Sequence, residues 1–330
     1  MAEKIKSLAQ DLETAEGKQP QTPKYAKIGK LLKKDAKKNW AMYLLLLPAV
    51  VFFAVFCYAP MIGLLMAFQD FDLNLGFFQS PWVGFKHFAA FFHDMYFWRL
   101  LGNTLLFSLY DILFVFTTPI LLALLINGVK RRRYRRVILT AVYLPYFIST
   151  VVVCGIISSL VDTNGIFGII FTKLGLLEEG MSMLGDPRHF RAIIIVSNIW
   201  QTVGFNSVIY VAALGGIDPC LYEAADLDGA NWFKKVLHIA LPSILPTIMM
   251  MLIMKIGMML NVNFEKIYLL YSTPTYNVGE VISTYIYRYG AIGGNYSYTT
   301  AIGLFQSVFG FVLLLIANWL SRKFTSSSVF

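Results

Sequence analysis

The chain has 330 residues, 57% of them apolar and only 14% charged, with a formal net charge of +9. A soluble domain carries about 25% charged residues, and the shortfall here is concentrated in long uncharged runs, which excludes an ordinary water-soluble fold. The positive charge also fails as a nucleic-acid face, because ten lysines within residues 1–38 and the six basic residues of Lys130–Arg136 both abut apolar segments, a topological pattern.

The N-terminal segment 1–38 is a basic, hydrophilic tail. It is followed by an uncharged run, 40–68, that is too long for the apolar part of a signal peptide and long enough to cross a hydrocarbon core about 30 Å thick. Pro48 and Pro60 should kink that span. Five more spans follow at about 101–127, 136–160, 190–214, 242–262 and 298–320. The fourth is the least apolar, with Asn198, Gln201, Thr202, Asn206 and Ser207, so one of its faces should meet a cavity or another helix instead of lipid.

Basic residues set the orientation. With both termini inside, the cytoplasmic segments 1–39, 128–135, 215–241 and 321–330 hold 19 Lys and Arg, against 6 in the external segments 69–100, 161–189 and 263–297. The external segments are aromatic, with Phe71, Trp82, Phe85 and Trp98 in the first and Tyr268, Tyr271, Tyr276 and Tyr287 in the last. They read either as an interfacial belt or as a docking or sugar-stacking rim. Cys57, Cys154 and Cys220 give no disulfide pattern, the four histidines lack metal-ligand spacing, and there is no phosphate-binding G-x-x-x-x-G-K-[ST] run.

The loop at 215–242 carries the most information. Asp218 is a good N-cap and Pro219 a good first helical residue. Glu223-Ala224-Ala225 favours helix and allows close approach, and Gly229 can take positive φ at the helix end. Asn231 can cap a second short helix with Phe233, Val236, Leu237 and Ile239 as its apolar stripe, and Pro242 starts the fifth span. This is a helical hairpin suited to passing motion to a soluble partner.

Glu223, Ala224, Ala225, Asp228, Gly229, Ala230, Ile239, Leu241, Pro242 and Pro246 stand in the register of the EAA loop, E-A-A-x-x-D-G-A followed by I, L-P and P. The chain thereby resembles the permease subunits of binding-protein-dependent ATP-driven importers over roughly residues 40–325. Val236 stands where that family often has Phe. Asn263–Tyr271 and Val281–Arg288 resemble the carbohydrate permeases of the polysaccharide type.

The resemblance implies an all-α membrane protein of the type I importer permease fold: six transmembrane helices over 39–322 and a cytoplasmic coupling hairpin, between a basic tail (1–38) and a short C-terminal tail (323–330). It implies a bacterial plasma-membrane location, a second and different permease subunit, two ATPase subunits that hold ATP and Mg, and an external solute-binding protein. No cofactor or active site is expected in this chain, and an oligosaccharide is the expected cargo. A secondary transporter would show repeat symmetry and midplane ionisable groups for ion coupling, and a membrane enzyme would need convergent carboxylates or histidines; the chain shows no repeat and few midplane ionisable groups, and its acidic residues outside the 215–242 loop are dispersed.

Lys255 lies about twelve residues into the fifth span, roughly 18 Å deep at 1.5 Å per residue, and Asp111 lies at a compatible depth in the second. Such residues face a partner or a watery cavity. Lys255 therefore reads either as the structural partner of Asp111 or as a group binding a sugar hydroxyl or a uronate carboxylate. Asn198, Gln201 and Asn206 join them as candidates for the substrate path.

Overall fold

The structure is a computed structural model that describes residues 37–129 and 131–325, with side chains as far as Ser321. The basic tail expected over 1–38 lies outside the described residues except for its last two, as do Lys130 and everything after Thr325. The described residues form helices and no strands; one isolated antiparallel bridge joins Gln69 and Trp82.

Six stretches are long and apolar enough to cross a membrane. In chain order, the helices that matter here are α1 (Trp40–Phe68), α2 (Lys86–Phe92), α3 (Phe97–Asn127), α4 (Arg132–Tyr143), α5 (Thr150–Val161), α6 (Ile166–Lys173), α7 (Pro187–Gly215), α8 (Pro219–Leu227), α9 (Trp232–Gly257), α10 (Phe264–Leu270), α11 (Ile282–Ile286) and α12 (Tyr296–Thr325).

The described residues divide into two compact units, one ending at Gly63 and one beginning at Leu64. The first contains most of α1. Pro48 sits inside its opening α-helical part, which gives way to π-helical turns at Phe53–Tyr58 and then to a 3-10 stretch that contains Pro60. Each proline removes a backbone donor and crowds the preceding turn, so the winding changes instead of the helix ending. The apolar window of α1 has no buried residue in this chain, which suits a surface solvated by lipid.

In the second unit α7 packs along α3, and α9 packs on α12. Close approaches fix these contacts. A Cβ at Gly204 of α7 would fall 2.0 Å from the carbonyl oxygen of Val142, so α4 lies directly on that glycine. A Cβ at Gly257 would fall 2.5 Å from Leu314 of α12. Small residues at such crossings are what lets membrane helices approach when burial of apolar surface provides no drive between them.

Two spans differ from the sequence expectation. The third was expected as one helix over 136–160, but it breaks into α4 and α5 around a 3-10 turn, Leu144–Phe147. Pro145 disfavours helix in the residue before it and cannot donate, and the Ser149 hydroxyl restarts the helix by accepting from Val152 N at 3.4 Å. The apolar stretch of spanning length begins there and runs Thr150–Lys173. The fifth was expected to begin at Pro242, but α9 starts at Trp232 and passes through a π-helical turn, Val236–Ala240, into the deep segment. Pro242 follows Leu241, whose N–H closes the π turn by donating to the Val236 carbonyl.

Candidate functional site

The hairpin is built as its residues dictate. The Asp218 carboxylate accepts from Cys220 N at 2.9 Å and Pro219 follows, starting α8. Gly229 ends it at φ +71°, and Ala230 N donates to the Ala225 carbonyl at 2.9 Å, closing the helix C-terminus. The Asn231 side chain accepts from Lys234 N at 2.9 Å and opens α9. Lys235 pairs with Asp226 across the turn. Asn127 Nδ2 donates to the Tyr222 hydroxyl at 3.3 Å, and the Trp232 ring lies against Gly128, so the hairpin is held to the end of α3.

Glu223, Ala224, Asp228 and Gly229 are exposed, Ala225 and Ala230 are half-buried, and Leu227 is 90% exposed. The hairpin therefore presents a formed surface with apolar side chains that the described residues leave exposed.

Lys255 and Asp111 form an ion pair. Asp111 is buried and opens a π-helical turn within α3, Asp111–Phe116. Lys255 is 39% exposed on its side chain and also lines a cavity of 620 Å³ with Asn206, Phe205, Tyr210, Met251 and Met254. The two sequence readings of Lys255 thus share one geometry: it is paired and it faces a cavity.

Asn198 and Gln201 line a different cavity, of 550 Å³, with Tyr146, Phe147, Thr202 and the Asn263–Lys266 segment. Both amides are buried, and Gln201 Nε2 donates to the Ile148 carbonyl at 3.1 Å. Tyr146 and Phe205 stack face to face, with ring centres 3.9 Å apart and planes 4° apart. One ring belongs to each cavity, so this pair stands where the two meet. The five candidates are therefore not one cluster: Asn198 and Gln201 lie on one side of the stack, and Asn206, Lys255 and Asp111 on the other.

The first cavity also contains a residue that the sequence reading passed over. Lys266 is 3% exposed and its Nζ has no hydrogen-bond partner among the described residues. Burial pulls its ammonium down to about 8. A sequence signal was available, since Lys266 stands four residues before Leu270 and beside Ile267, both buried in the same helix. That spacing places it on the inward face of α10 and not in an open loop.

At the end of the molecule away from the hairpin, residues 276–292 are clamped to α3 and α7. Glu280 is fully buried and accepts from Arg99 at 2.8 Å, and it also pairs with Arg288. Arg191 donates to Asn103 Oδ1 at 2.8 Å and to the Val278 carbonyl at 3.1 Å, while Asn103 donates to the carbonyls of Asn277 and Glu280, each at 3.0 Å. Asp94 accepts from Tyr285 at 2.8 Å and Tyr298 at 2.6 Å; burial works against its charge, but these hydroxyls hold it below the usual carboxylate range. Through Tyr285 these bonds hold α11 as well. The aromatic side chains of this end divide between the clamp, as with Tyr285, and the surface, as with Phe78, Phe85 and Trp98.

Residues 115–326 match the family model described as the binding-protein-dependent transport system inner membrane component. Among curated proteins the chain is 42% identical to Protein LplB of Bacillus subtilis, over 89% of this chain and 92% of that one. It is 38% identical to the polygalacturonan/rhamnogalacturonan transport system permease protein YteP of the same organism, over 88% and 90%. Among solved structures it superposes with a TM-score of 0.82, at 43% identity and over 89% of this chain and 99% of the other, on a chain of a bacterial ABC transporter involved in the import of the acidic polysaccharide alginate. A second match, with a TM-score of 0.81, is to the alginate transporter in complex with a periplasmic protein bound to an alginate pentasaccharide. With six membrane-spanning stretches, an EAA-register hairpin and these matches across most of its length, the chain belongs to the binding-protein-dependent transport system inner membrane component family.

Proposed function

We propose that this chain is one of two permease subunits of an ATP-driven importer, and that it carries an oligosaccharide handed over by an external solute-binding protein. The observation that carries the reading is the exposed hairpin at 218–235. It is fully capped and anchored to α3, yet it leaves Glu223, Leu227 and Gly229 uncovered, which is the form a docking element takes when its partner is another chain. Two ATPase subunits holding ATP and Mg are that partner. Their closure moves the hairpin, and because α9 is continuous from Trp232 through its π-helical turn to Gly257, the displacement reaches the cavity that Lys255 lines. The names of the similar proteins, for polygalacturonan, rhamnogalacturonan and alginate, support a saccharide cargo.

In this reading both termini and the hairpin face the cytoplasm. With the three native cysteines removed, a cysteine at Arg132→Cys is expected to react with an impermeant maleimide only after the membrane is permeabilised; labelling in intact cells would overturn the orientation.

Uptake of oligosaccharide by the complex in proteoliposomes, with binding protein outside, is expected to need ATP on the hairpin side. Uptake that runs on a proton or sodium gradient without ATP would defeat the proposal.

A further inference from the structure

The 550 Å³ cavity has the size of a small-molecule site, which spans roughly 300–1,000 Å³. Its wall combines ring faces, from Tyr146, Phe147 and Phe264, with the amides of Asn198 and Gln201. Two side-chain nitrogens of that wall, Lys266 Nζ and Asn263 Nδ2, are buried and donate to nothing among the described residues. Asn263 is also held at φ +45°, the one non-glycine residue with positive φ among those described. Both orphaned groups are donors, and a wall of unused donors calls for a ligand rich in acceptor oxygens.

The charge on that wall narrows the ligand class. Elsewhere the deep cation is already matched: Lys255 is paired with Asp111 in the neighbouring cavity, and Arg191 is bonded to Asn103 and Val278. Lys266 has no such partner. Glu265 lines the same cavity but is exposed and does not reach ion-pairing distance of it, and from α5 the facing titratable group is the Cys154 thiol. A buried ammonium without a counter-charge is costly, and an entering carboxylate removes that cost through a charge-assisted hydrogen bond. A neutral sugar leaves the cost in place, so selectivity comes as much from penalising the wrong ligand as from rewarding the right one.

We infer that Lys266 is a specificity-determining residue that reads carboxylates on the transported saccharide, and that the cavity beside it is a subsite for a uronate unit. The inference rests on the oligosaccharide reading above. The Nζ atom lies under the cavity wall, and the flexible four-carbon stem lets it reach a carboxylate by a change of rotamer. The ring faces take the apolar face of the pyranose, and Asn263 with the two amides takes its hydroxyls.

The test uses the detergent-solubilised full complex without binding protein, so that the permease alone selects. Binding of labelled trigalacturonate, its trimethyl ester and neutral maltotriose is measured by equilibrium dialysis. In the wild type the ester and maltotriose are expected to bind about ten-fold or more weaker than the acid, the size of a lost charge-assisted bond. Lys266→Met should erase that preference, and Lys266→Arg should keep most of it. Equal binding of acid and ester by the wild type overturns the inference, and this arm decides even if Lys266→Met fails to assemble. A Lys266→Met complex that loses acid and ester alike marks a structural lysine and overturns it too. If none of the three saccharides binds and none is taken up by the complete importer, the oligosaccharide reading itself fails and the inference falls with it.

Discussion

Replacing Gly229 with valine is expected to abolish ATP-driven uptake, by ten-fold or more, in a complex that still assembles. Gly229 sits at φ +71°, and a Cβ there would meet nothing within 4 Å. The space is open, so the whole penalty is conformational. An L-residue in the left-handed region costs roughly 1–2 kcal/mol, and a β-branched one more. The hairpin can escape that strain by unwinding the end of α8, which would give up the bond from Ala230 N to Ala225 O and displace Asp226 from Lys235. Of the membrane-spanning stretches only α9 carries one of these groups, Lys235 in its first turn, so abundance in the membrane should hold. The expected signature is ATP hydrolysis that continues while uptake is lost, together with uptake partly restored in Gly229→Asn, since Asn tolerates positive φ better than other L-residues. Wild-type uptake by Gly229→Val at equal membrane abundance would remove the hairpin from the coupling path.

The second large effect is expected at the Lys255–Asp111 pair, and it should be asymmetric. Asp111 is 7% exposed on its side chain and Lys255 39%, the latter opening on the 620 Å³ cavity. Lys255→Met strands a buried carboxylate, and breaking a buried pair from one side costs about 3–5 kcal/mol. Asp111→Asn strands an ammonium that can still be solvated through the cavity, so its cost is lower. Complex abundance and the thermal midpoint of the purified complex should therefore fall in the order wild type, Asp111→Asn, Lys255→Met. The exchange of Lys255→Asp with Asp111→Lys should recover part of the loss. Equal stability of wild type and Lys255→Met would show that the pair carries no structural load and leave Lys255 to the transport path alone.

Much of the molecule is legible in the sequence because it rests on local rules. Uncharged runs of spanning length place the chain in the membrane whatever their packing, and Asp218, Pro219, Gly229 and Asn231 specify caps and a turn through bonds that reach at most five residues. Depth counting along two helices put Lys255 and Asp111 at compatible depths and offered their pairing as one of two readings, since rise per residue is constant and lipid leaves a deep charge few alternatives; the structure forms the ion pair.

What the sequence could not decide are features set by which helices meet. The continuity of α9 through Pro242 depends on a π-helical turn that no periodicity predicts. The separation of Asn198 and Gln201 from Asn206 and Lys255 follows from Tyr146 stacking on Phe205, 59 positions along the chain. Lys266 is buried because α10 packs against α5, and its lack of a partner there shows only in the tertiary structure. Local hydrogen bonding and hydropathy determine which segments are helical and which of them enter the membrane. The approach of segments far apart in sequence, fixed by glycine contacts, ring stacking and buried ion pairs, decides which polar groups are satisfied and which are left to face a ligand.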